Sequence, residues 1–391
     1  MVAQNSSLKE GFSVALRDVG DSSLSIVSSV SISPDGKLIA ITDANAGNVA
    51  IYQVSNGVLV NFFQPGRGVV DSLVSSNVRG WSLGRYLTFA QVSTSFPQAI
   101  SSMQNDFVQA EFINDSSLAI LGDVRPLFVP SSPNGGPTSY IDHRMFIQLR
   151  DLNRRRLQYI YPEEIGPEAT FARRGLLLVD RRTDGFILSV ANDRRVSEGK
   201  AMNAPTMAIY DLHGNRTEEL AFLPNEAVQS GLNYNLLQPV GAVDSAGNIM
   251  LCYTLGSEAN VLPSRAAFSL TPIAGLNSNV YSLAEKLHSK WTPVIPFEKV
   301  AAQIQSYISS IDVASNGRFE LSVRLGKPSH FHWEVLEYSA AGQLLRQATV
   351  PLPDSLGSVK SLTYQASLHG FTVVSLNAQN QYELTTFRWS T

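Results

Sequence analysis

SISPDGKLIAITDANAGNVAIYQVSNGVLVNFF, residues 31–63, decides the fold. A strand over 30–33 runs into a Pro-Asp-Gly turn at 34–36, and a second strand follows over 38–42. A Gly/Asn turn at 45–48 opens a third strand over 49–54, and a Ser-Asn-Gly turn at 55–57 opens a fourth over 58–63. Apolar runs bounded by Gly, Pro, Asn and Asp are strand and turn signals. Four antiparallel strands joined by tight turns make one blade of a β-propeller. The stretches 38–42 and 49–52 are largely apolar on both faces, as expected of middle strands pressed between two neighbours. A two-sheet sandwich alternates more cleanly.

The cassette recurs in weaker form along the rest of the chain. Inner hairpins follow at 108–121, 176–190, 240–254, 309–323 and 361–376, and outer halves at 145–161, 206–222, 266–283, 333–350 and 382–390. This alternation predicts an all-β chain forming a six-bladed propeller of four-stranded antiparallel blades, as one domain over 1–391. The blades are expected near 22–66, 67–161, 165–222, 236–283, 305–350 and 356–391. The last repeat stops after three strands, and GFSVALRDV at 11–19 reads as a strand with no hairpin partner. Docking that strand onto the last blade would close the ring and cover an exposed edge. A further strand-like run, GRYLTFAQV at 84–92, keeps a count of seven blades open. Residues 123–143 form a Pro/Gly/Ser-rich loop, and Val300, Ile304 and Ile308 recur at helical spacing, which predicts a short rim helix.

The stretch SISPDGKLIAITDANAGNVAIYQVSNG resembles the repeat of the YncE/surface-layer and TolB-type propellers, where a Ser-Pro-Asp-Gly turn precedes an apolar strand. The resemblance covers one repeat closely. It implies a rigid disc with a central channel, common in extracytoplasmic bacterial proteins, and carries over no catalytic residue.

Composition excludes several classes. The 30 basic and 33 acidic residues give a net charge of −3, against the basic excess a nucleic-acid binder uses to neutralise phosphates. No apolar run is long enough for a membrane-spanning helix. Cys252 is the only cysteine, so no disulfide forms within the chain. The start MVAQNSSLKE has neither a basic n-region nor an apolar h-region. Its polar character favours a periplasmic or secreted mature chain whose signal peptide is absent here, with a cytoplasmic protein as the alternative.

Few residues suggest chemistry. Gly80, Ser82 and Gly84 match a nucleophile elbow, but a strand follows where the elbow needs a helix. Asp43, Asn45 and Gly47 resemble the start of a calcium loop, but Val54 stands where the bidentate carboxylate belongs, so a hairpin turn is expected. His330, His332 and Glu334 alternate along a strand and so share a face, a donor set suited to zinc. The plain alternative is an exposed strand face. Eleven arginines lie between Arg144 and Arg195 beside seven acids. Arg154, Arg155, Arg156, Arg181 and Arg182 could form an anion-binding patch, the alternative being charges that decorate hairpin turns.

Together these features point to a non-enzymatic binding or scaffolding propeller that recognises a protein or small-molecule ligand through rim loops or the central channel. The competing reading is a hydrolase or lyase with a metal-assisted site in the channel. No cofactor is called for by the first reading; calcium or zinc belongs to the second.

Overall fold

The computed structural model describes residues 4–17, 24–25, 27–43, 45–75, 94, 97, 101, 103–126, 144–153, 157–162, 177–180, 185–189, 205–222, 239–243, 249–253, 258–262, 269–272, 306–313, 318–327, 330–341, 343–351, 359–365, 370–377 and 379–390. The chain opens with β1 (Gln4–Asn5) and β2 (Leu8–Ala15). A first sheet follows in the order β3 (Val27–Ile32), β4 (Leu38–Asp43), β5 (Asn48–Gln53) and β6 (Leu59–Phe63). Helix α1 (Gly68–Ser75) leads to a second sheet of β7 (Met103–Asn114), β8 (Ser117–Pro126), β9 (Arg144–Asp151) and β10 (Leu157–Ile160). The third comprises β11 (Leu177–Asp180), β12 (Gly185–Ser189), β13 (Pro205–Tyr210) and β14 (Arg216–Phe222). The fourth comprises β15 (Pro239–Val243), β16 (Ile249–Tyr253), β17 (Glu258–Leu262) and β18 (Ser269–Pro272). Then come β19 (Ser306–Val313), β20 (Phe319–Lys327), β21 (His330–Tyr338) and β22 (Leu344–Thr349). The closing sheet holds β23 (Val359–Gln365), β24 (Gly370–Leu376) and β25 (Tyr382–Trp389), with β2 as its fourth strand.

Within each sheet consecutive strands pair antiparallel. The first strands, β3, β7, β11, β15, β19 and β23, neighbour one another in turn, and β23 returns to β3. The sheets therefore stand around a closed ring with these strands innermost. Alternation explains how they pack. Ile39 and Ile41 of β4, with Ala50 and Tyr52 of β5, bury against Val374 and Leu384 of the closing sheet. Ala40, Val49 and Ile51, pointing the other way, bury against Phe107, Phe112 and Leu118 of the second sheet. Two strands thus serve two seams, which is why they lack a polar face. Each fully buried aliphatic side chain contributes about 1.5–3 kcal/mol.

Of the six four-stranded blades expected from sequence, five are found with that strand count among the described residues, and the β19–β22 sheet has five strands, because β1 adds in parallel to the outer edge of β22. An open edge presents unpaired backbone groups that a passing strand satisfies. The expected closure is present: β2 pairs antiparallel with β25, from Leu8 opposite Trp389 to Ala15 opposite Glu383. The N-terminal segment then continues to the first sheet, where the Arg17 N–H donates to the Gly57 carbonyl at 2.8 Å. It thus crosses the outer edges of three successive sheets.

Other boundaries differ from expectation. The outer pair of the fourth sheet lies at Glu258–Leu262 and Ser269–Pro272, earlier than the 266–283 read from sequence. Ile308, expected on a rim helix, belongs to β19, and Val300 and Ile304 lie outside the described residues. Helix α1 was not anticipated; it buries Val69, Val70 and Leu73 in the seam between the first and second sheets. The strand-like run at 84–92 lies outside the described residues.

Candidate functional site

Register alone builds the most unusual group of side chains. Asp312 of β19 stands opposite Glu320 of β20, Glu320 opposite Glu337 of β21, and Glu337 opposite Arg346 of β22. Directly opposed residues project from the same face, so the four form one row across the sheet. Trp333, Val335, Ala348 and Val350 share that face and pack on Phe371, Val373 and Phe387 of the closing sheet. The row therefore lies in the seam that closes the ring. Adjacent like charges cost stability in such a row unless something compensates.

Glu337 is compensated. Arg346 Nε bonds its Oε2, and Arg318 Nη1 lies 3.4 Å from its Oε1. The Arg346 guanidinium also sits over the Trp389 ring, 4.5 Å from its centroid. Glu320 is not compensated in this way. Only 8% exposed, it accepts one hydrogen bond, from Trp389 Nε1 at 3.3 Å, and its Oε2 has no partner among the described residues. Burial pushes its carboxyl up to about 8, with the charges of Glu337 and Asp312 adding to the rise and the Trp389 bond and Arg346 opposing it. It is a neutral acid at pH 7.

Two further buried polar atoms on this face, Ser322 Oγ and Trp333 Nε1, likewise have no partner among the described residues. Ser322 is two positions from Glu320 on β20, and Trp333 stands one row beyond Ser322's cross-strand partner Val335. A carboxyl, a hydroxyl and an indole N–H on one sheet face can hydrogen-bond hydroxyl or carbonyl oxygens. The row is buried at its middle and half-buried at both ends, at Asp312 near the ring centre and Arg346 near the rim.

His330, His332 and Glu334 lie on β21 with the opposite orientation, since Leu336 and Tyr338 of that set pack on Ala242 and Ile311. His332 Nε2 meets Glu334 Oε1 at 2.9 Å, and Gln347 Nε2 donates to Glu334 Oε2 at 3.3 Å. Both carboxylate oxygens are thus engaged by side chains of this sheet, and the His330 side chain lies outside the described residues. Among the described residues no three His, Cys, Asp or Glu side chains gather as a metal site. Arg154, Arg155, Arg156, Arg181 and Arg182 lie outside the described residues, as do Gly80, Ser82 and Gly84. The Asp43 segment is the expected hairpin turn: Asp43 Oδ1 accepts from the Asn45 N–H at 2.8 Å and the Ala46 N–H at 3.0 Å.

No family model matches the chain, and no curated protein matches it in sequence. Solved structures do match. A member of the DUF4221 family from Bacteroides vulgatus ATCC 8482 aligns with a TM-score of 0.56 and 7% identity, covering 99% of this chain and 100% of that one. The chain is a β-propeller. A candidate exported protein from Bacteroides fragilis NCTC 9343 aligns at 0.54 and 10% identity, covering 100% and 97%. Virginiamycin B lyase from Staphylococcus aureus aligns at 0.43 and 7% identity, covering 97% and 99%. At such identities the likeness speaks to the propeller fold alone. No helix among the described residues is long and apolar enough to cross a membrane.

Proposed function

We propose that this propeller is a non-enzymatic binding module that works outside the cytoplasm. The observation that carries the reading is the closing seam, where Glu320 Oε2, Ser322 Oγ and Trp333 Nε1 are buried on one sheet face without partners among the described residues. Buried polar groups are ordinarily satisfied, so hydrogen-bonding capacity left over on a rigid scaffold marks a place for a ligand's oxygen atoms. The neutral Glu320 carboxyl suits an uncharged, hydroxyl- or carbonyl-bearing ligand better than an ion. A structural neighbour from Bacteroides fragilis, described as a candidate exported protein, supports the extracytoplasmic placement.

The test uses the full chain. Ligand-detected NMR against a panel of uncharged polyols and acylated amino acids is expected to return binders that S322A weakens by roughly tenfold, the loss of one to two hydrogen bonds. Turnover of a substrate together with a stoichiometric bound calcium or zinc would overturn the reading in favour of a metal-assisted enzyme.

A further inference from the structure

The Glu320 row ends on the strands that receive the N-terminal segment. Arg346 stands beside Gln4 of β1, and Trp389, which bonds Glu320 and carries Arg346 on its ring, stands beside Leu8 of β2. Ring closure and the buried acid thus share the same two side chains.

We propose that Glu320 is a proton-operated latch on ring closure: its protonated carboxyl lets the closing sheet and the N-terminal segment seat on the β19–β22 sheet, and its ionisation loosens both. The latch holds whatever the propeller binds.

The charges facing Glu320 can be taken element by element. From β19 comes Asp312, from β21 Glu337 and from β22 Arg346; on β20 Arg324 shares the face four positions from Glu320, its side chain outside the described residues, and Arg318 precedes Glu320 in the chain and reaches Glu337. In the closing sheet, β24 carries no charged residue. On β25 the same face holds Glu383, six positions from Trp389 and bonded to Ser13. Glu10 of β2 is exposed at the rim, and the Lys360 side chain of β23 lies outside the described residues. Both nearby guanidiniums are engaged with Glu337. An ionised Glu320 would therefore be a third carboxylate in a row, held by one indole N–H. A buried charge with so little compensation is relieved by letting water in. Parting β25, whose Trp389 bonds Glu320, from this sheet admits water, and β2 is paired to β25. With the carboxyl raised from the ordinary 4.5 to about 8, the change is complete by about pH 8.

Hydrogen exchange of the full chain from about pH 6 to about pH 9.5, corrected for intrinsic exchange, reads the latch directly. Protection at residues 4–17 and 382–389 is expected to fall by roughly tenfold or more between about pH 6 and about pH 8, to level off above about 8, and to lie below that of β4 and β5 throughout. E320Q is expected to hold protection level across the range. D312N, which removes one neighbouring charge from a half-buried position, is expected to move the levelling-off to lower pH and keeps the test open if E320Q fails to fold. Level protection in the unaltered chain, a fall in E320Q that matches it, an unmoved levelling-off in D312N, or protection at residues 4–17 and 382–389 equal to that of β4 and β5 would each overturn the proposal.

Discussion

Gln109 is bound to Leu177 by two 2.9 Å hydrogen bonds: its Nε2 donates to the Leu177 carbonyl, and its Oε1 accepts from the Leu177 N–H. A side-chain amide here takes the part of a strand backbone and joins β7 to β11 across the seam between the second and third sheets. Leu177 is fully buried, so no water can take over these groups. Q109A is expected to cost about 2–3 kcal/mol, seen as a lower urea midpoint at unchanged slope.

The pH dependence of stability should carry the signature of Glu320. Its acid constant rises from the ordinary 4.5 to about 8 on folding. Between those values the folded chain keeps a proton that the unfolded chain releases, so stability is full below about 4.5 and falls as pH rises towards 8. The fall is on the order of 5 kcal/mol, and E320Q is expected to remove it from a series of thermal melts across that window.

Asp43 should act at the other end of the scale. Burial pushes its carboxyl up, but hydrogen bonds from the backbone of Ala46, Ser25 and Asn45 and from the Ser25 hydroxyl outweigh burial and hold it below the ordinary 3.8. Its stability contribution is present above that ordinary value and is lost as pH falls through the lowered one. D43A is expected to cost about 3 kcal/mol at neutral pH, and D43N to flatten the acid limb of the unfolding profile.

Gly57 should be intolerant of any side chain. Its φ is +68°, and a Cβ there would stand 2.1 Å from the Ala15 carbonyl oxygen, where the N-terminal segment reaches the first sheet. G57A is expected to cost about 1–3 kcal/mol and to make residues 4–17 the first site of limited proteolysis. G66A, with nothing within 4 Å of the new Cβ, should leave both readouts unchanged.

Much of the ring was legible because tight turns write themselves locally. Pro34 to Gly36 and Asn45 to Gly47 announce their hairpins, and the two-sided apolarity of β4 and β5 announces neighbours on both faces. β1 carries no such signal: two polar residues pair through backbone alone. β17, beginning at Glu258 and carrying Asn260, lacks the apolar run that marks a strand, so its sheet was read too late in the chain. Glu320 and Glu337 were missed for a related reason. Single glutamates in FELSV and WEVLEY read as solvent-facing positions, and only the register between β20 and β21, with Trp389 arriving from the far end of the chain, turns them inward. The His332 and Glu334 alternation was legible as a shared face; that the two would bond each other depends on side-chain torsions no pattern encodes.

The pairing of β2 with β25 joins residues separated by as many as 381 positions, as between Leu8 and Trp389. During synthesis β2 has no docking place until β25 has been translated. Contacts of such span are slow to form, and an edge left waiting is prone to wrong partners. Loss of β25 should therefore leave an open crescent with adhesive ends.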